Sequence, residues 1–288
     1  MKPDPLGRGG PAAMAAAMAC WAVNDALVKR CAQDLSVPQI LAVRGLFAVA
    51  LALALVLLAR ERPRPRWLLR PEVALRCALE VTTAASATWA LSLAPLGVVT
   101  AISMTAPLWA VMGAQLLGWE IRAWPRLLGV LAGLAGALLV VQPWQNQPPA
   151  PAGVAAAFVC ALCLAARDLS TRRAAQALSA PQLTLMTSAS VGIAGVIAWQ
   201  VLPPAQPLTT GHLVWLAAAA LGATAGNLLL VAALRRGDLG RVMPLRFSLL
   251  LWSTLLGMLI WQERPSAMTW LGLALIAATG AAALRKRP

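Results

Sequence analysis

Long apolar runs of about twenty residues alternate along the chain with short polar or Pro/Gly-rich breaks. A bilayer-spanning helix takes ~20 apolar residues, so the runs predict ten transmembrane spans. They cover 11–29, 38–59, 72–94, 98–118, 123–143, 151–171, 181–202, 212–234, 240–261 and 267–284. The runs lack the period-two alternation of a barrel, and lipid offers no partner for open backbone groups, so each span is expected to be an α-helix. The breaks are legible too. Ala94-Pro95-Leu96-Gly97 is a tight turn, Gln142 to Gly153 is an uncharged linker with four prolines, and Pro203 to Pro207 is another uncharged loop.

Composition agrees with the pattern. Of the 288 residues 60% are hydrophobic and 12% charged, with a mean hydropathy of +0.72. A soluble domain is nearer ~45–50% apolar and ~25% charged, which excludes a lone soluble enzyme. Ten spans use about 200 residues and leave no room for a second, soluble domain. The net charge of +14 is explained by placement. With a cytoplasmic N-terminus, 17 Lys and Arg fall in cytoplasmic segments and 3 in external ones, while Arg44, Arg76, Arg167 and Arg246 lie within spans. That asymmetry obeys the positive-inside rule, puts both termini in the cytoplasm, and removes nucleic acid as the reason for the charge. The basic start, Met1 to Gly10, followed by an Ala-rich run, resembles a signal peptide. It leads straight into Asn24-Asp25 and the next apolar run, and is read as an uncleaved first helix.

The chain carries an internal repeat at one gapless offset of 143 residues. Cys20 meets Cys163, Asp25 meets Asp168, Lys29-Arg30 meets Arg172-Arg173, and Pro38-Gln39 meets Pro181-Gln182. Gly97 meets Gly240, Leu108-Trp109 meets Leu251-Trp252, and Glu120 meets Glu263. Each half holds five spans, an odd number, so the second copy enters the membrane upside down. Inverted repeats can exchange shapes about an axis in the membrane plane, closing a central site to one side and opening it to the other. The domains are thus 1–143 and 144–288, two inverted five-helix repeats.

The stretch from Pro107 to Glu120, ending LLGWE, and the following RLLGVLAGLAGALLVV from Arg126 to Val141 resemble the end of an EamA repeat. The second copy runs from Leu255 to Leu284. Ten helices in two five-helix copies is the architecture of the drug/metabolite transporter superfamily, and the resemblance covers essentially the full chain. It implies export of amino acids, drugs or other metabolites without ATP. By length and appearance the chain is similar to the aromatic and neutral amino acid exporter (YddG-like) branch. The second copy has Leu250 where the first has Pro107, and Pro244 lies six residues earlier, so the fourth and ninth helices are expected to bend at different depths.

Ionisable residues inside a membrane are costly and mark either pairs or functional sites. Asp25/Lys29 and Asp168/Arg172 have the favourable i,i+4 acid-to-base order and read as structural end-of-helix pairs or as gating pairs. Arg44 and Glu80 enter the bilayer from opposite sides to nearly the same depth, and Arg246 reaches a similar depth, so Glu80 is expected to pair with Arg44 or Arg246. Arg76, Glu80, Thr83 and Ala87 share one helical face that is too polar for lipid. Trp67, Trp119, Trp124, Trp144, Trp199, Trp261 and Trp270 suit interfacial anchoring. Trp21, Trp89, Trp109 and Trp252 lie deep, and either pack helices or line a cavity. The expected substrate site joins those four walls to hydrogen-bonding Asn24, Thr83, Ser103 and Asn227 and to the charges of Arg44, Arg246 and Glu80. Hydroxyls can equally bond within their own helices. Glu120, Glu263, Gly129 and Gly272 read as capping and packing residues.

Competing functions fare poorly. The five cysteines are small core residues, and the Cys160-x-x-Cys163 spacing has no second ligand pair. The single histidine, His212, gives no basis for a metal site or a catalytic triad, and no P-loop is present. The expectation is therefore a secondary transporter in the inner membrane, with no enzyme activity, cofactor, metal or nucleic-acid partner. Its partners are the lipid bilayer and small zwitterionic solutes, and a monomer is the expected state.

Overall fold

The structure is a computed structural model that describes residues 9–31, 34–93, 99, 102–119, 124–142, 144, 150–201, 206–236, 242–262 and 264–285. The expected tight turn at 94–97 and the residues Glu120 and Glu263 lie outside the described residues. Among those described, ten α-helices and two 3₁₀ turns form the regular structure, with no strand. The first half contains α1 (Gly9–Cys31), α2 (Val37–Leu58), a 3₁₀ turn (Pro65–Leu69), α3 (Pro71–Leu93), α4 (Ala106–Leu116) and α5 (Trp124–Val141). The second contains α6 (Pro151–Ala177), α7 (Ala180–Val201), α8 (Thr210–Arg236), a 3₁₀ turn (Met243–Phe247), α9 (Ser248–Trp261) and α10 (Ala267–Arg285). Among the described residues six segments are long and apolar enough to cross a bilayer: those in α1, α2, α6, α7, α8 and the 3₁₀ turn with α9. The apolar parts of α5 and α10, Leu127–Val141 and Ala267–Thr279, are shorter, and α3, which carries Arg76 and Glu80, is not among the six. An all-helical, multi-pass membrane bundle follows.

The packing has a permuted symmetry. α1 packs on α8, α2 on α7, α3 on α6 and α5 on α10; α1 also meets α9, α2 meets α8, α4 meets α6 and α3 meets α7. Exchange every helix for the one five places away, and this set returns itself. The α1–α8 contact becomes α6–α3, α1–α9 becomes α6–α4, and α2–α8 becomes α7–α3. The α2–α7 and α5–α10 pairs map onto themselves.

Side chains repeat the same relation. The buried Gln39 donates through Nε2 to the carbonyl of Gln206 (2.8 Å), and the buried Gln182 donates to the carbonyl of Arg62 (2.7 Å). Each repeat's Pro-Gln thus anchors the loop ahead of a helix in the other half. Ser36 at the head of α2 adds an O–H donated to Gln39 Oε1 at 2.8 Å.

Backbone meets backbone where the self-mapped pairs cross. A Cβ on Gly45 would lie 2.5 Å from the Cα of Gly192, joining α2 to α7. One on Gly272 would lie 2.5 Å from the carbonyl oxygen of Gly136, joining α10 to α5. Only glycine permits such approaches, and small residues are what membrane helices use to pack closely. The main core, including Met14, Ala110, Val130, Leu230, Phe247 and Ile276, fills the space where α1, α4, α5, α8, α9 and α10 converge.

The fourth and ninth helices do not break at different depths. α4 starts at Ala106 after a turn at Met104-Thr105, and α9 starts at Ser248, the repeat mate of Thr105, after the 3₁₀ turn. Pro107 opens α4 and Pro244 opens the 3₁₀ turn. Each proline interrupts the backbone ladder from a different position, yet the regular α-helix resumes within one residue of the same repeat register.

Candidate functional site

Charged side chains gather where α3, α6 and the 3₁₀ turn before α9 meet. Arg76 and Glu80 stand one turn apart on α3, and their side chains pair. Arg167 on α6 reaches Glu80 from the other side, Nη1 to Oε1 at 3.3 Å. The same guanidinium holds its neighbour Asp168, with Nε at 3.1 Å and Nη2 at 3.0 Å from Oδ1. Arg246 takes the other Asp168 oxygen, Oδ2. Arg76 Nε also donates to Thr171 Oγ1 at 2.6 Å, and that hydroxyl donates to the Arg167 carbonyl at 2.7 Å. Arg76, Arg167, Asp168, Thr171 and Arg246 are all buried. Buried ions survive only when partners satisfy them, and here each carboxylate is shared by two arginines.

This corrects one expectation and leaves a second outside the described residues. Glu80 pairs with Arg76 and Arg167, not with Arg44 or Arg246, because the tight α3–α6 packing brings Arg167 to it first. Asp168 is held by Arg167 and Arg246; the side chain of its expected partner Arg172 lies outside the described residues. The 3₁₀ turn explains the reach of Arg246, since the irregular backbone there carries its guanidinium to α6.

A second, sparser group lies on α1 and α2, near enough to the first for Arg44 and Glu80 to act on each other electrostatically. Asn24 on α1 donates through Nδ2 to Asp25 Oδ1 (2.9 Å) and accepts from Arg44 Nη1 of α2 (2.9 Å). Asn24 is buried, Arg44 half-buried and Asp25 exposed. The helical faces say where that exposure leads. On α1, the exposed stripe is Ala12, Ala16 and Val23, while Asp25 continues the opposite stripe through buried Met14 and Met18 and half-buried Trp21. On α2 the exposed stripe is Leu46, Ala50, Leu53 and Leu57, and Arg44 again lies opposite. Both charges therefore lie on the faces turned away from the exposed apolar stripes. The side chain of Lys29, the expected partner of Asp25, lies outside the described residues.

The remaining expected site residues divide. Trp21 packs against the main core, with its ring edge where a Cβ on Gly226 would come within 2.9 Å. Trp109 packs on the same core and donates its indole N–H to Thr105 Oγ1 at 3.1 Å. Trp252 and Trp89 are not enclosed, at 39% and 59% exposure. Thr83 spends its hydroxyl on the Leu79 carbonyl at 2.7 Å, the within-helix bond that the sequence left open. Ser103 reaches Cys160 Sγ at 3.9 Å. Asn227 is buried, and its Oδ1 has no partner among the described residues; the same holds for Thr224 Oγ1 one turn earlier on α8.

Arg167 and Thr171 were missed in the sequence. A signal existed: the repeat aligns Asn24-Asp25 with Arg167-Asp168, so the one position flanking the repeated acid is an amide in one half and a guanidinium in the other. The charge is unequally shared in general. The mates of Arg76, Glu80 and Arg44 are Ala219, Ala223 and Thr187, and that of Arg246 is Ser103.

The sequence profile of the EamA-like transporter family matches residues 8–142 and, again, 151–283. No curated protein matches the chain. A solved structure, titled only "Crystal structure of protein", is similar at a TM-score of 0.80 with 21% identity over 96% of this chain and 98% of that one. The likeness is one of fold.

Proposed function

The chain belongs to the EamA-like transporter family, and from that premise we propose that it is a secondary transporter exporting small metabolites, namely aromatic or other neutral amino acids, by alternating access. The family are membrane transporters of small molecules and not enzymes. The finer reading is a place in the aromatic and neutral amino acid exporter (YddG-like) branch, in the inner membrane. It takes the chain as ten spans in two inverted repeats, 1–143 and 144–288, with both termini in the cytoplasm. The self-returning packing pattern supports the inversion, because two halves that pack by one rule can trade conformations.

One observation carries the transport reading. Charges inside the membrane bundle are sealed around Arg76, Glu80, Arg167, Asp168 and Arg246, whereas the neighbouring Asp25 is exposed on the inward face of α1 and Arg44 is half-buried. The basic loops put the sealed group towards the cytoplasm. The arrangement is that of a bundle closed inside, with the ionic network as the inner gate. The substrate site lies near the membrane middle, next to Asp25 and Arg44, with Trp21 and Trp109 as walls and the unsatisfied Asn227 Oδ1 as a neutral hydrogen-bond acceptor.

Counterflow tests it. Liposomes holding only this protein and unlabelled phenylalanine should accumulate labelled phenylalanine or tryptophan from outside without ATP. Accumulation of a cationic dye but of no amino acid would replace the substrate class with drugs. No counterflow of any solute would remove the transport reading.

A further inference from the structure

We propose that Asp25 and Arg44 form a two-ended clamp for a zwitterion, Asp25 taking the ammonium and Arg44 the carboxylate, with Asn24 as the spacer that keeps the two from joining. The proposal rests on the transport reading and assigns its ligand contacts, with Asp25 rather than Glu80 as the acidic one. Glu80 is engaged by two arginines, whereas Asp25 receives one amide N–H, from Asn24.

The repeat provides an internal comparison. Asp25 and Asp168 are mates. Asp168 has both oxygens bound by guanidinium groups and is buried. Asp25 has one oxygen bound, by an amide, and is exposed on the side of α1 that faces away from lipid. The difference follows from two positions, Arg167 against Asn24 and Arg246 against Ser103. Arg167 neutralises its neighbour directly; Asn24 cannot, being uncharged, and among the described residues it leaves a carboxylate with most of its acceptor capacity open. Such a group inside a membrane protein is expensive to keep and marks a substrate or ion pathway.

Arg44 matches it. Among the described residues its side chain has one hydrogen bond, to Asn24, out of the five donors a guanidinium offers. No ion pair joins it to Asp25 among the described residues, though the two act on each other electrostatically. The Asn24 side chain bonds both, so one amide group separates the anion from the cation. In an α-amino acid one carbon separates ammonium from carboxylate. The solute presents three N–H donors to Asp25 and two oxygens to the planar fork of Arg44. Each desolvated charge of the solute then has an opposite charge, which an amine or a carboxylate alone lacks.

Three matched probes separate the ends: phenylalanine, phenethylamine and 3-phenylpropionate, each used to compete with labelled phenylalanine counterflow in proteoliposomes. The intact protein should prefer phenylalanine over both others. Asp25→Asn should weaken phenylalanine by about tenfold or more, the scale of a lost charged hydrogen bond, and leave 3-phenylpropionate unchanged. Arg44→Gln should weaken phenylalanine similarly and leave phenethylamine unchanged. Asp25→Glu and Arg44→Lys keep the charges, and should retain the preference for the zwitterion if either neutral variant fails to fold. Counterflow that persists with the same probe ranking in the neutral variants overturns the clamp and leaves the transport reading standing. Absence of phenylalanine counterflow in the intact protein overturns both.

Discussion

Replacing Asp168 by Asn removes a charge that two arginines share. Arg167 keeps Glu80 as a partner at 3.3 Å, so the loss falls on Arg246. Arg246 has a side chain 8% exposed, and Asp168 is its one carboxylate partner among the described ion pairs. Stripping one member from a buried pair costs about 3–5 kcal/mol, because the other is left charged and dry. Asp168→Asn should therefore lower the unfolding free energy by that amount, measured in mixed micelles by tryptophan fluorescence. The double variant Asp168→Asn with Arg246→Met should recover most of the loss, since no orphaned guanidinium remains. Asp168→Asn with Arg167→Met should not, because it takes a partner from Glu80. The cycle isolates the pair as a coupling energy, whose expected sign is favourable. A double variant no more stable than Asp168→Asn alone would refute the assignment. The same single variant should also open the cytoplasmic end, read as faster labelling of a cysteine introduced at Ala166 or Ala223 by a membrane-impermeant reagent applied from that side.

Reporter fusions after Pro149 and after Gln206 should report the outside, and one after Arg173 the inside; a cytoplasmic report at Pro149 would break the inversion. Gly272→Leu should cost about 1–3 kcal/mol of stability through overpacking against the Gly136 carbonyl, while the ranking of substrates in counterflow stays as it was. Trp109→Ala should destabilise the bundle by about 3–5 kcal/mol, as deletion of a packed aromatic does, whereas the more exposed Trp252→Ala should leave stability nearly intact and reduce transport of bulky solutes more than of small ones. Equal loss for all solutes in Trp252→Ala would point to packing there as well.

How much of this was legible in the sequence depends on what a residue must know about its neighbours. The ten helices follow from runs of apolar residues, a property of each segment alone; most bounds fall close to the expected ones, but α4 and α9 start at 106 and 248 where 98 and 240 were expected. The repeated Pro38-Gln39 and Pro181-Gln182 stood out as sequence identities, and the two equivalent loop anchors give them their reason. The partner of Glu80 was not legible. Depth along a helix can be counted at 1.5 Å per residue, and depth placed Arg44, Arg246 and Glu80 at one level. It says nothing of which helices are neighbours, and the α3–α6 contact is what hands Glu80 to Arg167. The common break before α4 and α9 was hidden in a similar way, because prolines at unlike positions suggested unlike bends while the regular helix resumes at matching register.

The glycine crossing of α2 and α7 has a mechanical consequence. Under the proposed alternating access this pair maps onto itself, keeps the same partners before and after, and can serve as a fulcrum while the α1–α9 and α4–α6 contacts slide. At Gly45 and Gly192 there are no side chains to interlock, and a rocking motion about that point meets little friction. Bulk added at the fulcrum would drag on motion in both directions alike and slow turnover without favouring either orientation. Charge changed in the lopsided arginine network would do the opposite: it would tilt the resting balance between orientations. Speed and bias are thus written into different parts of the bundle, one into bare backbone at the pivot and the other into side chains far out on the lever.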